Sequence, residues 1–597
     1  MMSGTMRAWA ADPTPGVNTQ EQLTRVAQLF KQGNYQQAVD VCTQLIDAKT
    51  STAQAYALRG RCQYSLGDYD KAAADAGQSL ALDPDQAWAH VVKGLCSQSA
   101  GKEDQAKGDF GLAITAAGKA LQTNPQNVEA LNVRGVACRL QGDLDLAIAN
   151  FTQALAVDPK LPESYFNRGT ANATKGDSDQ ALADLTLAAT IDIQYAQALL
   201  RRGEVYRNGK QNPDRAIADF SQALVINPQL TEAYNLRGKA YLDKQDFAHA
   251  ISDFGQAITL SPRAVGGYLN RGNAYNRKRD FDPAIDDYDK AVSLDPKSAT
   301  AYHQRANTYY NKQDYDKALG DYTQVITLEP KNAVAHLDRG DAQRKKREFD
   351  QAIADYTQAI ALNPKYAQAF QNRGKAHHSK NEWDAAITDH DQAISLDPKN
   401  AEAYFDRGFA HFNRSMDHWS AGIADFAQAL TINPKYARAY AERSRVYLVS
   451  GNANQSIVDA NSALGLDPNQ AIAYALRGEA YRATNNQVQA KKDYDSAIAA
   501  STQVLAQDPK NAEVYHFRGI AYLGIGKANE AIADYTQAVT VDPMYAPGYW
   551  ARALYYHLAK KYKEARQDYE KCIAIDPNGL VGELARQNLK LLGKKGK

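Results

Sequence analysis

Apolar positions in this chain fall into pairs of helical stripes, and the pairs recur with a period of thirty-four residues. Residues 510–543 show the unit. Tyr515, Arg518, Gly519 and Tyr522 lie at helical spacing, a break falls at Gly526, and Ala531, Asp534, Tyr535 and Ala538 form a second stripe. Asp542-Pro543 closes the unit, because proline lacks the amide hydrogen and clashes with the preceding helical turn. The pattern predicts two short helices per unit. One such pair has too little partner surface to bury its own apolar face, so neighbouring pairs must stack.

The closing residues set the ruler. After Pro84 come Pro125, Pro159, Ile193, Pro228, Pro262, Pro296, Pro330, Pro364, Pro398, Pro434, Pro468, Pro509, Pro543 and Pro577, and ten of these fourteen steps are thirty-four residues long. Sixteen units are expected between residues 19 and 577, the first closing near Thr50 without a proline. Residues 1–18 form a leader with no repeat. Residues 578–597 are read as a capping helix, with Leu580, Val581, Leu584 and Leu589, followed by a basic tail. A fixed period overrides the several-domain expectation that 597 residues would otherwise carry.

These residues resemble the signature of the tetratricopeptide repeat family: Tyr515 at the fourth position, Gly519 at the eighth, Tyr522 at the eleventh, Ala531 at the twentieth, Tyr535 at the twenty-fourth, Ala538 at the twenty-seventh and Pro543 at the thirty-second. The resemblance covers residues 19–577. It implies an all-α fold, a right-handed superhelical solenoid of antiparallel helix pairs whose first helices line a concave groove.

One departure carries its own chemistry. The seventh position, usually leucine in the family, is arginine in fifteen units and Lys93 in the other; the twenty-third is aspartate in all but two, where Val41 and Asn150 stand. A cation and an anion recurring together on facing helices predict a structural ion-pair ladder, since a guanidinium can grip a carboxylate with two parallel bonds. Four steps also break the ruler. One residue is added between Asn208 and Asp214 and two between Asn413 and Ser420, while the third and fourteenth units gain seven each. Seven residues are almost two helical turns, about 10 Å, so these helices should lengthen without rotating their faces. The lengthened stretches, 105–127 and 489–511, share ten of twenty-three residues. They read as surface insertions or as docking helices for a partner or a second copy.

Composition narrows the function. The 69 basic and 68 acidic residues nearly cancel, without the basic excess expected of a nucleic-acid binder. No apolar run approaches the ~18–20 residues of a membrane span. As written the chain reads as cytoplasmic; Ala8-Trp9-Ala10 before Ala11-Asp12-Pro13 looks like a signal cleavage site, and a periplasmic or exported protein would follow if the start lay upstream of Met1. The five cysteines fall on helical positions and read as small buried hydrophobes; a Cys42–Cys62 disulfide would need an oxidising compartment. No phosphate loop, nucleophile elbow or zinc-protease motif occurs, and His377, His390 and His411 stand where aromatic side chains usually pack. Neither cofactor nor catalysis is expected.

Binding residues must then lie on the first helices. The resemblance places the second, fifth, sixth, ninth, twelfth and thirteenth positions in the groove. No unit has lysine at the fifth, so the family's clamp for a chaperone's C-terminal carboxylate is not expected. The sixth position reads Asn270, Gln304, Asp338, Asn372 and Asp406 in five successive units, with Asn273, Asn307, Asp341 and Lys375 at the ninth. An amide both donates and accepts, which suits a peptide backbone of any sequence, and the pattern resembles amide ladders by which family members hold extended peptides. The plainer reading is that a groove open to water is polar. Phe405, Phe409 and Phe412, and Trp550, Leu554 and Leu558, read as apolar anchors or as core. A scaffold for protein or peptide partners is therefore expected, with a self-assembling structural protein, associating through its terminal repeats or lengthened helices, as the alternative.

Overall fold

The computed structural model describes residues 19–49 and 52–593. The leader, the end of the first unit at Thr50 and the last four residues of the basic tail lie outside them. The described residues form thirty-three α-helices and no strand; consecutive helices pack on one another from Thr19–Lys31 to Phe281–Leu294, and again from Tyr315–Leu328 onward. Thirty-two of them make the sixteen expected pairs, beginning with Thr19–Lys31 and Tyr35–Asp47 and ending with Ala546–Leu558 and Tyr562–Ile575. The chain divides into two compact halves, one ending at Gln304 and one beginning at Arg305.

Local chemistry explains each punctuation point. The fifteenth position of a repeat adopts a left-handed backbone that ends the first helix, at Gly526 (φ 80°) and, without glycine, at Arg347 (φ 65°). At the thirty-first position an aspartate accepts a backbone bond from two residues on, as Asp542 Oδ1 does from the Met544 amide (3.1 Å), and so turns the chain into the next repeat. The eighth-position glycine is a packing requirement. A Cβ on Gly519 would meet the Tyr535 ring at 2.5 Å, and one on Gly340 the Tyr356 ring at 2.7 Å. His390 fills the same slot over Gly374 and is 1% exposed, so it is a core side chain.

The ion-pair ladder is present and does more than the sequence reading required. Among the described residues, thirteen repeats carry a two-bond fork from Nε and Nη2 of the seventh-position arginine to the twenty-third-position aspartate; in Arg339–Asp355 both bonds are 2.7 Å. In most of them Nη1 also reaches back to the second helix of the preceding repeat: Arg339 to Thr323 (3.2 Å), Arg373 to Thr357 (3.0 Å), Arg552 to Thr536 (3.3 Å). One guanidinium thus ties three helices. Where Asn150 replaces the aspartate, a single bond from Arg134 Nε remains.

The irregular steps obey this constraint. The single added residue becomes a π turn, Val205–Gly209, and the two added residues become a 3-10 turn, Met416–His418. Both lie between fork partners, and both forks survive, Arg202–Asp219 and Arg407–Asp425. The long helices, Glu103–Thr123 and Gln487–Gln507, solve a larger mismatch. Arg518 binds back to Thr502 (3.2 Å), nine residues beyond Asp493, whereas Thr536 is only two beyond Asp534. The following repeat has moved two turns along the helix. Ala117 and Leu121 are buried against Ala130 and Leu131 of the next first helix, so the added turns are covered by their own neighbour. The twenty-first position records the shift: it is half-buried Ile217, Ile251 or Ile353 in regular repeats but exposed Lys107 and Lys491 in the long ones.

Each half also bonds to itself about five repeats apart. In the first, Lys31 pairs with Glu163 (2.6 Å), Gln197 Nε2 donates to the Tyr35 hydroxyl (2.7 Å), and Asn227 Nδ2 donates to the Gln32 carbonyl (3.1 Å). In the second, Arg347 pairs with Asp542 (2.9 Å) and Asn381 Nδ2 donates to the Ile575 carbonyl (3.2 Å). Trp383 Nε1 donates to Asp576 Oδ1 (2.9 Å), whose other oxygen accepts from the Val581 and Gly582 amides at 3.2 and 3.3 Å. The last helix, Leu580–Gly593, packs Ala585 and Leu592 on Ala553, Tyr569 and Cys572, and its Leu580 joins Phe405, Phe412 and Phe426. All five cysteines are free thiols; Cys42 and Cys62 sit in the first repeats' core, where burial pushes the Cys62 thiol up to about 12.

Three outcomes follow. Asp287→Ala leaves a largely buried arginine without its carboxylate and should cost roughly 3 kcal/mol, whereas Asp287→Asn should cost less, keeping one bond as Asn150 does; urea denaturation monitored by circular dichroism measures both. Trp383→Phe removes the donor to a carboxylate that is 2% exposed, so amide exchange in 576–593 should accelerate while the first half is unchanged. Burial holds the His390 imidazole down at about 3, against an unfolded value near 6.5. Below pH ~6.5 the unfolded chain therefore binds the extra proton, and stability from this site is lost as pH falls toward 3. His390→Phe should give a smaller fall in melting temperature between pH 7 and pH 4 than the parent.

Candidate functional site

The first helices of successive repeats touch one another, as Thr52–Leu66 does Ala87–Ser99 and Ala471–Ala483 does Ala512–Gly524, while second helices make no comparable approach. Within each half the first helices therefore line the inner side of the curve, and sixth- and ninth-position side chains meet between neighbouring first helices, as Asn372 and Asp341 do (2.8 Å).

In the first half, Asn270 Nδ2 donates to Asn235 Oδ1 of the preceding repeat (3.3 Å), and Asn270, Asn273 and Gln304 are half-buried. In the second half, the expected ladder residues bond to one another. Asn307 Oδ1 accepts from the Tyr322 hydroxyl (2.7 Å). Asp341 Oδ1 accepts from the Tyr356 hydroxyl (2.6 Å) and from Asn372 Nδ2 (2.8 Å), with Arg344 at 3.9 Å. Asn372 is 5% exposed and its Oδ1 accepts from Gln368 (2.7 Å), so both ends of this amide are occupied. Asp406 accepts from Gln371 (3.1 Å) and shares Lys375 with Glu402, at 3.4 and 2.6 Å. Asp338 is half-buried. Burial raises the Asp341 and Asp406 carboxyls above the usual carboxylate range.

The apolar candidates divide. Phe405 and Phe412 are buried in a cluster with Phe426 and Leu580, and Phe409 lies at its edge, so these rings are core rather than open anchors. Trp550 packs on the same buried cluster, Ala553, Tyr569 and Cys572, as Val581 and Leu589 of the last helix, and Leu558 is exposed.

Two inner-face clusters escaped the sequence reading. In the first half the Arg61 guanidinium lies between the rings of Phe30 (4.1 Å) and Trp88 (4.2 Å). In the second, Arg445 stacks over Phe517 (4.7 Å) and reaches Glu513 (2.9 Å) and Glu442 (3.4 Å), with His516 alongside, its imidazole held down to about 4 by burial. Arg61 and Arg445 stand at the ninth position and Glu442 at the sixth; the same ruler locates them, but only the middle repeats, which have no arginine at the ninth position, show the amide regularity that draws attention. Among the described residues no group of three metal-ligating side chains converges, and no helix is long and apolar enough to cross a membrane.

Tetratricopeptide repeat profiles match residues 26–87, 197–229, 231–263, 266–298, 299–332 and 518–579, and a profile described as TPR repeat matches 135–176, 340–381 and 374–414. No curated protein sequence matches. Among solved structures, the chain is similar to the APC/C hetero-tetramer Cut9–Hcn1 (15% identity over 85% of this chain and 96% of that one, TM-score 0.44). A tetratricopeptide repeat protein from Parabacteroides merdae matches at 22% identity over 42% of this chain and 99% of its own (TM-score 0.35), and yeast Tom70 at 18% over 73% and 96% (TM-score 0.35). Sixteen helix pairs, glycine under an aromatic ring at the eighth position and profile matches running from residue 26 to residue 579 lead to one conclusion: the chain belongs to the tetratricopeptide repeat family, whose solenoids are protein-interaction scaffolds.

Proposed function

We propose that this chain is a non-catalytic scaffold that holds extended segments of partner proteins along the inner faces of its repeats. The observation that carries the reading is a polar row on first helices within each half: Asn270 bonded to Asn235 of the preceding repeat in one, and Asp341, Lys375 and Asp406 in three successive repeats of the other, whose helices the forks fix. An extended segment needs donors and acceptors at regular intervals, and a row with the repeat's own period supplies them. Partner side chains would replace contacts that the row now makes with itself, so binding exchanges hydrogen bonds rather than creating all of them anew.

Self-assembly through the lengthened helices has less support. Their added turns are packed under the next repeat, and the exposed apolar residues on Gln487–Gln507 reduce largely to Val488.

Affinity capture compares the parent with an Asn270→Ala, Gln304→Ala, Lys375→Ala variant; Asn372 is left intact because it is buried. Partners held by the parent should be lost from the variant while its melting temperature stays within a few degrees. Retention of the same partners by both proteins would contradict the reading, as would concentration-dependent growth of the parent into filaments in sedimentation velocity.

A further inference from the structure

We infer that the inner face of the second half selects basic segments, seating lysine or arginine side chains of a partner against Asp341, Asp406 and Glu442. The inference rests on the groove-binding reading and names the chemistry of what is bound.

The three carboxylates occupy inner positions, and none is neutralised in the manner of the structural forks. Asp341 has its nearest cation, Arg344, at 3.9 Å. Asp406 shares Lys375 with Glu402, which lies closer to that lysine. Glu442 is 2% exposed, and the arginine beside it, Arg445 at 3.4 Å, makes its shorter contact, 2.9 Å, with Glu513. The contrast with Asp355, gripped by two bonds of 2.7 Å, is direct.

A second observation points outward to a ligand. Glu442 Oε2, 3.4 Å from Arg445, is buried without a hydrogen-bond donor, and His516, 9% exposed, has Nδ1 unpaired beside Glu513. Buried acceptors left unpaired are costly. Arg344 Nε and Arg445 Nε are unpaired donors on the same helices. An extended basic segment answers both needs: its cationic side chains donate to the carboxylates, and its main-chain carbonyls accept from the two arginines. The potential is already negative there, since Asp338 and Asp341 both push the Tyr310, Tyr322 and Tyr366 hydroxyls up, in addition to burial. An acidic segment would add like charge to a low-dielectric site, and an apolar one would leave these groups desolvated and unpaired.

The full chain, immobilised, is panned against a random dodecapeptide display library in parallel with an Asp341→Asn, Asp406→Asn, Glu442→Gln variant, whose near-isosteric amides preserve shape; circular dichroism melting checks that it folds. Peptides enriched on the parent should carry lysine or arginine at least threefold above the library's frequency, and that bias should vanish on the variant. Enriched peptides without a basic bias, or the same bias on both proteins, would overturn the inference while leaving groove binding standing. If no peptide is enriched on either protein, groove binding and the inference fall together.

Discussion

The fold depends on one recurring constraint: thirteen of its sixteen repeats place a guanidinium where it grips an aspartate on the repeat's own second helix and, in most of these, an oxygen on the second helix before it. Arg373 shows the arrangement, with Asp389 at 2.6 and 2.9 Å and Thr357 at 3.0 Å. The charge is compensated locally, so the junction tolerates partial burial that an isolated arginine would not. Because the fork is planar and rigid, it fixes the angle between helices as well as their distance. The family's usual leucine at this position fills space; arginine fills space and sets direction.

The same constraint explains which irregularities the chain accepts. Insertions between fork partners are absorbed as a π turn or a 3-10 turn, and the grip survives. Seven extra residues after the aspartate leave the fork alone and move the next repeat by two turns, as the bond from Arg518 to Thr502 records. Exposed Lys107 and Lys491 then stand where a neighbour would otherwise cover isoleucine. A five- or six-residue insertion there would rotate the face and break the junction.

Much of this was legible in the sequence. Period, helix number and fork partners follow from spacing alone, since each is written once per repeat, and the seven-residue lengthening shows as a break in that spacing. The back-bond to Thr323, Thr357 or Thr536 was equally periodic, but hydroxyls on an exposed helix look like ordinary solvent-facing residues. Contacts about five repeats apart, such as Trp383 with Asp576, carry no periodic signal and depend on the accumulated curvature of many junctions. The site was legible only in part. Position numbers placed Asn270, Asn307, Asp341, Lys375 and Asp406 on one kind of surface, yet nothing in the sequence told that Asn372 would be buried with both ends bonded. The aromatic trio Phe405, Phe409 and Phe412 misleads for a related reason: Leu580, far along the chain, completes its cluster.

The central claim is that the first helices present the working surface and the second helices serve as its frame. Hydrogen–deuterium exchange of the full chain, with and without a captured partner, tests it most directly. Protection should appear in first helices such as Ala333–Lys345, Ala401–Arg414 and Ala437–Val449, and leave their second helices unchanged. Protection concentrated on second helices, or on the exposed side of Gln487–Gln507, would contradict it.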